Sequence, residues 1–218
     1  MPVTAPHASD RVTPTHGTKM SHTHRLRTAI MTALAGALVL SVTVDAEARR
    51  PLHEKEQRAT LVSLLSAHEF QVNEGILRAI GPDTNRLLVH VSSDPNMRPS
   101  IRQNAVRSLV VFRSERTQRF LQTMLYDPDL SGTPHGTILR RQAMLTYGTA
   151  FRGKAVSALA HLARDADPQI REGAAQALGA TGTEAARRIL DAWLPHEPEL
   201  FVRLAVDRAL EAMRRIAR

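Results

Sequence analysis

The chain contains no cysteine. That absence excludes disulfide staples, Cys-ligated zinc, iron–sulfur clusters, thiol nucleophiles and lipidation through Cys. Aromatic residues are scarce, at 4% with a single Trp, so the stacking platforms that hold single-stranded nucleic acid have little to be built from. Lysine is nearly absent too, and the basic charge is carried by Arg. Proline and glycine stand near ordinary levels, and 23% charged with 43% hydrophobic residues excludes wholesale disorder and collagen-like sequence. A chain of 218 residues makes one domain or two and can bury a real core.

What is present begins with an address. Residues 1–27 are rich in Pro, Thr and His and carry no apolar periodicity. Lys19, Arg25 and Arg27 then precede the uncharged run TAIMTALAGALVLSVTV (28–44), followed by DAEARR with Ala46 and Ala48 at the small positions of an A-x-A cleavage site. A basic flank, an apolar run and a small-residue cut are the three parts of a secretory signal peptide. Residues 1–48 are therefore expected to be a signal with a disordered leader, and Met20 is a possible true start. The competing expectation is an uncleaved membrane anchor through residues 28–44, which lie at the lower edge of spanning length. The His7, His16, His22 and His24 cluster would leave with the signal. The mature chain 49–218 keeps a net charge of +7. With no cysteine for an oxidising compartment, packing alone must hold it.

The mature chain repeats itself. Five nine-residue stretches align without gaps: VNEGILRAI from Val72, IRQNAVRSL from Ile101, LRRQAMLTY from Leu139, IREGAAQAL from Ile170 and VRLAVDRAL from Val202. Position one is always aliphatic, and position two is Arg102, Arg140, Arg171 or Arg203, with Asn73 as the exception. Position five is small or aliphatic, and position nine is large. Positions one, five and nine form one helical stripe, with the small residue admitting a close neighbour. An acid followed by Pro precedes most copies (Asp94-Pro95, Asp127-Pro128, Asp167-Pro168, Glu197-Pro198), which is helix N-terminal chemistry. Between copies lie further amphipathic stretches, such as 116–126, 154–164 and 184–194. No segment reads as a strand. One helical hairpin cannot bury its own apolar face, so the units must stack. The expected fold is all-α, a right-handed α-solenoid of four to five helical hairpins over residues 49–218. The stretch DPDLSGTPHG (127–136) is expected to be a loop insertion.

The segment DPQIREGAAQALGATGTEAARRIL (167–190) resembles a HEAT repeat of the short kind also found in phycobilisome-lyase-like proteins, and the resemblance runs over about residues 70–218. It implies that Arg102, Arg140, Arg171 and Arg203 form a hydrogen-bonded ladder with Asp94 and Asp167, a structural role. The first copy departs from the pattern at Asn73, as a capping repeat should. The resemblance also implies that the Arg-bearing helices line the concave side. Positions three and seven of the nine-mer share a face, and there stand Gln103, Arg107, Arg141, Leu145, Glu172, Gln176, Leu204 and Arg208, with Glu74 and Arg78 in the first copy. That mixed polar and apolar row suits a docked protein or peptide.

Catalytic chemistry is hard to find. His53, His68, His90, His135, His161 and His196 make no H-E-x-x-H and no chelating pair, and there is no G-x-S-x-G, P-loop or dinucleotide fingerprint. Arg113, Arg116 and Arg119 form the densest basic cluster and read as a solvated face. Spread-out Arg and the lone Trp193 argue against nucleic acid. The sequence thus points to an exported, periplasmic or extracellular, non-catalytic scaffold or adaptor for a protein or peptide, with no cofactor and no metal. The alternatives are a nucleic-acid-binding or repair solenoid, if the N-terminal segment does not export the chain, and an accessory lyase or chaperone by family analogy alone. N-terminal sequencing after cell fractionation checks the address: the expected chain begins at Arg49 outside the cytoplasm. An intact 28–44 segment in the membrane fraction would mean an anchor, and an unprocessed soluble chain would overturn export.

Overall fold

The computed structural model describes residues 54–216, so the proposed signal, its cleavage site and the possible anchor lie outside the described residues. Ten α-helices follow one another, and no strand occurs among the described residues. They are α1 (Glu54–Leu65), α2 (Glu74–Ile80), α3 (Thr84–Ser93), α4 (Pro99–Ser108), α5 (Glu115–Leu125), α6 (Pro134–Phe151), α7 (Val156–Leu162), α8 (Pro168–Thr181), α9 (Glu184–Trp193) and α10 (Leu200–Ile216). Among the described residues no helix is long and apolar enough to cross a membrane.

The nine-mers fall on α2, α4, α6, α8 and α10. Four of these lie side by side, α4 on α6, α6 on α8 and α8 on α10, and each packs against the helix that precedes it, α3, α5, α7 or α9. This is the all-α stack of helical hairpins that the repeat spacing demands. The stripe behaves as expected in the last four copies. Position one (Ile101, Leu139, Ile170, Val202), position five (Ala105, Ala143, Ala174, Val206) and position nine (Leu109, Tyr147, Leu178, Leu210) are all buried. Tyr147 is fully enclosed, and its hydroxyl accepts from Gln122 Nε2 at 2.7 Å and donates to the Lys154 carbonyl at 3.3 Å. Burial of so polar a tip is tolerated because both bonds are made.

The first copy differs. Ile76, at position five of α2, is 49% exposed, because α2 is only seven residues long and packs on α1 and α3. Asn104 on α4 instead reaches back to α1, donating to the Leu65 carbonyl at 2.9 Å.

The acid–Pro pairs do one local thing in common. Asp94, Asp127, Asp167 and Glu197 each accept the backbone N–H of the residue two places on, at 2.8 to 3.1 Å. Only Asp167 does so as the N-cap of an α-helix; the other three acid–Pro pairs do not cap the nine-mer helices as expected, because α4, α6 and α10 begin further on, at Pro99, Pro134 and Leu200. The 127–136 insertion is likewise only partly a loop. Asp127 caps a short 3-10 turn, Pro128–Leu130, and α6 has already begun at Pro134, where Thr133 accepts from the Gly136 N–H and Pro presets the first turn. His135 consequently sits in the first turn of α6 and not in a loop.

Helix-to-helix spacing is set by small residues. A Cβ on Gly148 would collide with the Ala177 carbonyl oxygen, joining α6 to α8, and one on Gly179 would stand 2.7 Å from Ala209 Cβ, joining α8 to α10. Gly148→Ala should therefore lower the urea-denaturation stability by about 2 kcal/mol through overpacking. Gly153→Ala, where a Cβ meets open space, should leave it within about 0.5 kcal/mol of the parent.

Candidate protein-interaction face

The face between the nine-mer helices is built from positions three and seven, which the buried one–five–nine stripe turns outward. The structure brings Gln103, Arg141, Leu145 and Gln176 onto one groove of ≈ 390 Å³, together with Ile138 and Gln142. Arg107 lines an adjoining hollow of ≈ 250 Å³ that shares Gln142 and Leu145 and continues over Val110, Thr146 and Thr149. Glu172 sits at the edge. It takes an ion pair from Arg141 at 2.8 Å, α8 to α6, and accepts from Gln176 Nε2 at 3.0 Å. Leu204 and Arg208 stand exposed on α10 but line neither hollow. Glu74 and Arg78 on α2 are spent on one another at 2.8 Å, and Arg78 also donates to the Val111 carbonyl and lies over the Phe112 ring.

Ile138 was missed by the sequence reasoning, and a signal for it existed. It stands seven residues before Leu145, hence on the same face two turns earlier, but just ahead of the aligned nine-mer. Exposed Ile138 and Leu145 give α6 an apolar ridge, and Leu200, Phe201 and Leu204 give α10 another. Between them α8 presents polar Glu172 and Gln176.

The arginines at position two are structural, as the resemblance implies, though with other partners. Arg102 donates to the Ser92 carbonyl at 2.9 Å and Arg140 to the Leu125 carbonyl at 3.0 Å. Arg171 reaches the Asp165 and Ala166 carbonyls, and Arg203 those of Glu197 and Pro198. Each thus satisfies carbonyls at the end of the preceding helix or in the turn after it, groups that a helix leaves unpaired. The acids of the ladder are Asp165 and Glu197, correcting the expected Asp94 and Asp167: Arg140 pairs with Asp165 at 3.4 Å and Arg171 with Glu197 at 2.8 Å. Asp94 faces Arg58 instead, and Asp167 is occupied in capping α8.

Glu197 is the most demanding group in this network. Its side chain is 1% exposed. Arg171 grips both carboxylate oxygens through Nε and Nη2 at 2.9 and 2.8 Å, Trp193 Nε1 donates at 3.0 Å and the Glu199 N–H at 3.1 Å. Burial by itself would raise the carboxyl, but the bonds from Arg171, the Glu199 amide and Trp193 outweigh it and hold Glu197 below the usual carboxylate range. The bond to Glu197 likewise raises the Arg171 guanidinium. Among the described residues no group of three His, Asp or Glu is arranged to hold a metal ion.

Removing one partner of so buried a pair strands the other charge, so Glu197→Ala should cost about 3 kcal/mol in urea denaturation. The folded carboxyl titrates below its unfolded value. Its contribution is therefore complete above the ordinary carboxylate range and is lost as pH falls through the folded value. The Ala variant should lack that part of the acid-induced loss of stability.

The family model for HEAT repeats matches residues 137–211. No curated protein matches the chain. Among solved structures, the crystal structure of an engineered protein aligns at 17% identity over 71% of this chain and 78% of its own, with a TM-score of 0.37. The matched stretch runs from α6 into α10 and carries most of the candidate face.

Proposed function

We propose that this chain is an exported, non-catalytic scaffold that binds a protein or peptide along the exposed face of α4, α6, α8 and α10. The observation that carries the reading is the continuity of Gln103, Arg107, Arg141, Leu145 and Gln176 over two adjoining hollows on three neighbouring nine-mer helices, α4, α6 and α8. HEAT repeats in general mediate protein interactions. A rigid stack offers many weak contacts at fixed spacing, which lowers the ordering cost of binding. Ile138 and Leu145 supply apolar anchors, while Gln103, Gln142 and Gln176 offer amides able to donate to and accept from a peptide backbone. Charge complementarity to a polyanion has less behind it, since Arg141 is neutralised by Glu172 and the position-two arginines are committed to carbonyls. Export rests on the sequence of residues 1–48.

A photo-crosslinking amino acid placed at Leu145 or Gln176 in the exported chain should capture the same partner, whereas one at exposed Arg188 on α9 should capture none. Leu145→Asp should weaken capture about tenfold with unchanged melting. Binding should change little with salt. A steep loss as salt rises would instead favour a nucleic-acid ligand, and capture from Arg188 alone would move the interface to the other row.

A further inference from the structure

The opposite row carries a larger hollow. Between α7 and α9 lies a cleft of ≈ 600 Å³ whose wall is Ala160, Ala163, Ile189, Ala192 and the ring of Trp193. This size suits a single small organic group or the last residue of a peptide. The remaining lining side chains are mostly charged, and their pairing decides what the cleft can hold. Both of its acids are already neutralised: Asp165 by Arg140 at 3.4 Å, and Glu197 by Arg171 at 2.8 Å. Arg171 is consumed in the same bonds. Glu199, whose charge also acts on Arg171, is not among the lining residues.

Arg164 and His196 are left. Arg164 follows α7 and His196 follows α9, both line the cleft, and neither side chain makes a hydrogen bond or ion pair among the described residues. An exposed arginine alone would mean nothing. Here an uncommitted guanidinium stands beside an apolar wall whose own carboxylates are spent. A cation would find no free acid in the lining, and a bare inorganic anion would leave the wall unused. An apolar body carrying a carboxylate complements both parts.

We propose that the α7–α9 cleft binds an apolar carboxylate, its hydrocarbon part against Ala163, Ile189 and Trp193 and its carboxylate on Arg164, with His196 alongside. The carboxylate has two chemical sources, a free aromatic or aliphatic acid and the C-terminus of a peptide ending in an apolar residue. The site lies on the row opposite the proposed docking face and does not depend on it.

Trp193 is the only tryptophan in the chain and lines the cleft, so its fluorescence reports on this site alone. The full chain is titrated with hydrocinnamate and with acetyl-Ala-Ala-Phe, each beside its neutral amide. Both acids should change Trp193 emission saturably and compete with one another, and the amides should bind about tenfold more weakly, as expected for loss of one charge-assisted bond. Arg164→Gln should abolish the preference for acid over amide with melting unchanged, because Arg164 holds nothing in the fold. Tighter binding of the peptide assigns the cleft to a chain end, and tighter binding of hydrocinnamate to a free acid. The proposal fails if neither acid shifts the emission up to its solubility limit, if acids and amides bind equally, or if Arg164→Gln keeps the preference.

Discussion

Everything in this fold depends on how closely the nine-mer helices approach one another. A helical hairpin with one apolar stripe cannot bury it alone, so the stripe of each must be closed by its neighbour. Ala105, Ala143 and Ala174 at the central position have no exposed surface, and Gly148 and Gly179 bring α6, α8 and α10 so near that a methyl group at either would strike the next helix. Close packing makes the spacing stiff, since interiors of this density yield little. That stiffness sets the functional surface. Arg141 can reach Glu172 across two helices at 2.8 Å only because the helix spacing is fixed, and Leu145 borders Gln176 in one groove for the same reason.

The arginines at position two solve a second problem created by stacking. Each hairpin leaves carbonyls unpaired at the end of its first helix or in the turn that follows, and packing against the next helix restricts the water that could meet them. A long side chain from the following helix meets them in every one of the last four copies. In the two central joints, from α6 and from α8, the same guanidinium continues to an acid of the neighbouring turn, Asp165 or Glu197. The position-two arginines are therefore internal wiring. The consequence for function is direct: these four guanidiniums are committed to the stack, whereas Arg107 and Arg208 on one row and Arg164 on the other make no side-chain hydrogen bond or ion pair among the described residues.

The repeat architecture was legible because its cause is local. Aliphatic, small and large residues at one, five and nine dictate a helix with a buried stripe, and the interval between copies leaves room for one more helix. Positions three and seven followed from the same geometry, which is why four of the eight candidate residues meet in one groove and a fifth in its continuation. Legibility ended where packing between non-adjacent segments decided the outcome. Asp94 and Asp165 are both acids in the turn before an Arg-bearing helix, yet only Asp165 pairs with such an arginine. Asp94 turns to Arg58 of α1. Leu204 and Arg208 obey the same periodicity as Leu145 but have no following helix to form the other wall of a groove, because α10 ends the described stack.

By itself the sequence determined the all-α class, the repeat unit and the buried stripe, since each follows from contacts within a helix or to the adjacent turn; the structural standing of the four arginines came from the resemblance and not from the local pattern. Only the tertiary structure decided that α2 leaves the row, that Glu197 rather than an Asp before the helix holds Arg171, and that a cleft with an uncommitted arginine opens between α7 and α9. Those outcomes depend on which helices touch. Touching is governed by volume and by competition for hydrogen-bond partners among segments some thirty residues apart, and a local pattern does not encode the result of that competition.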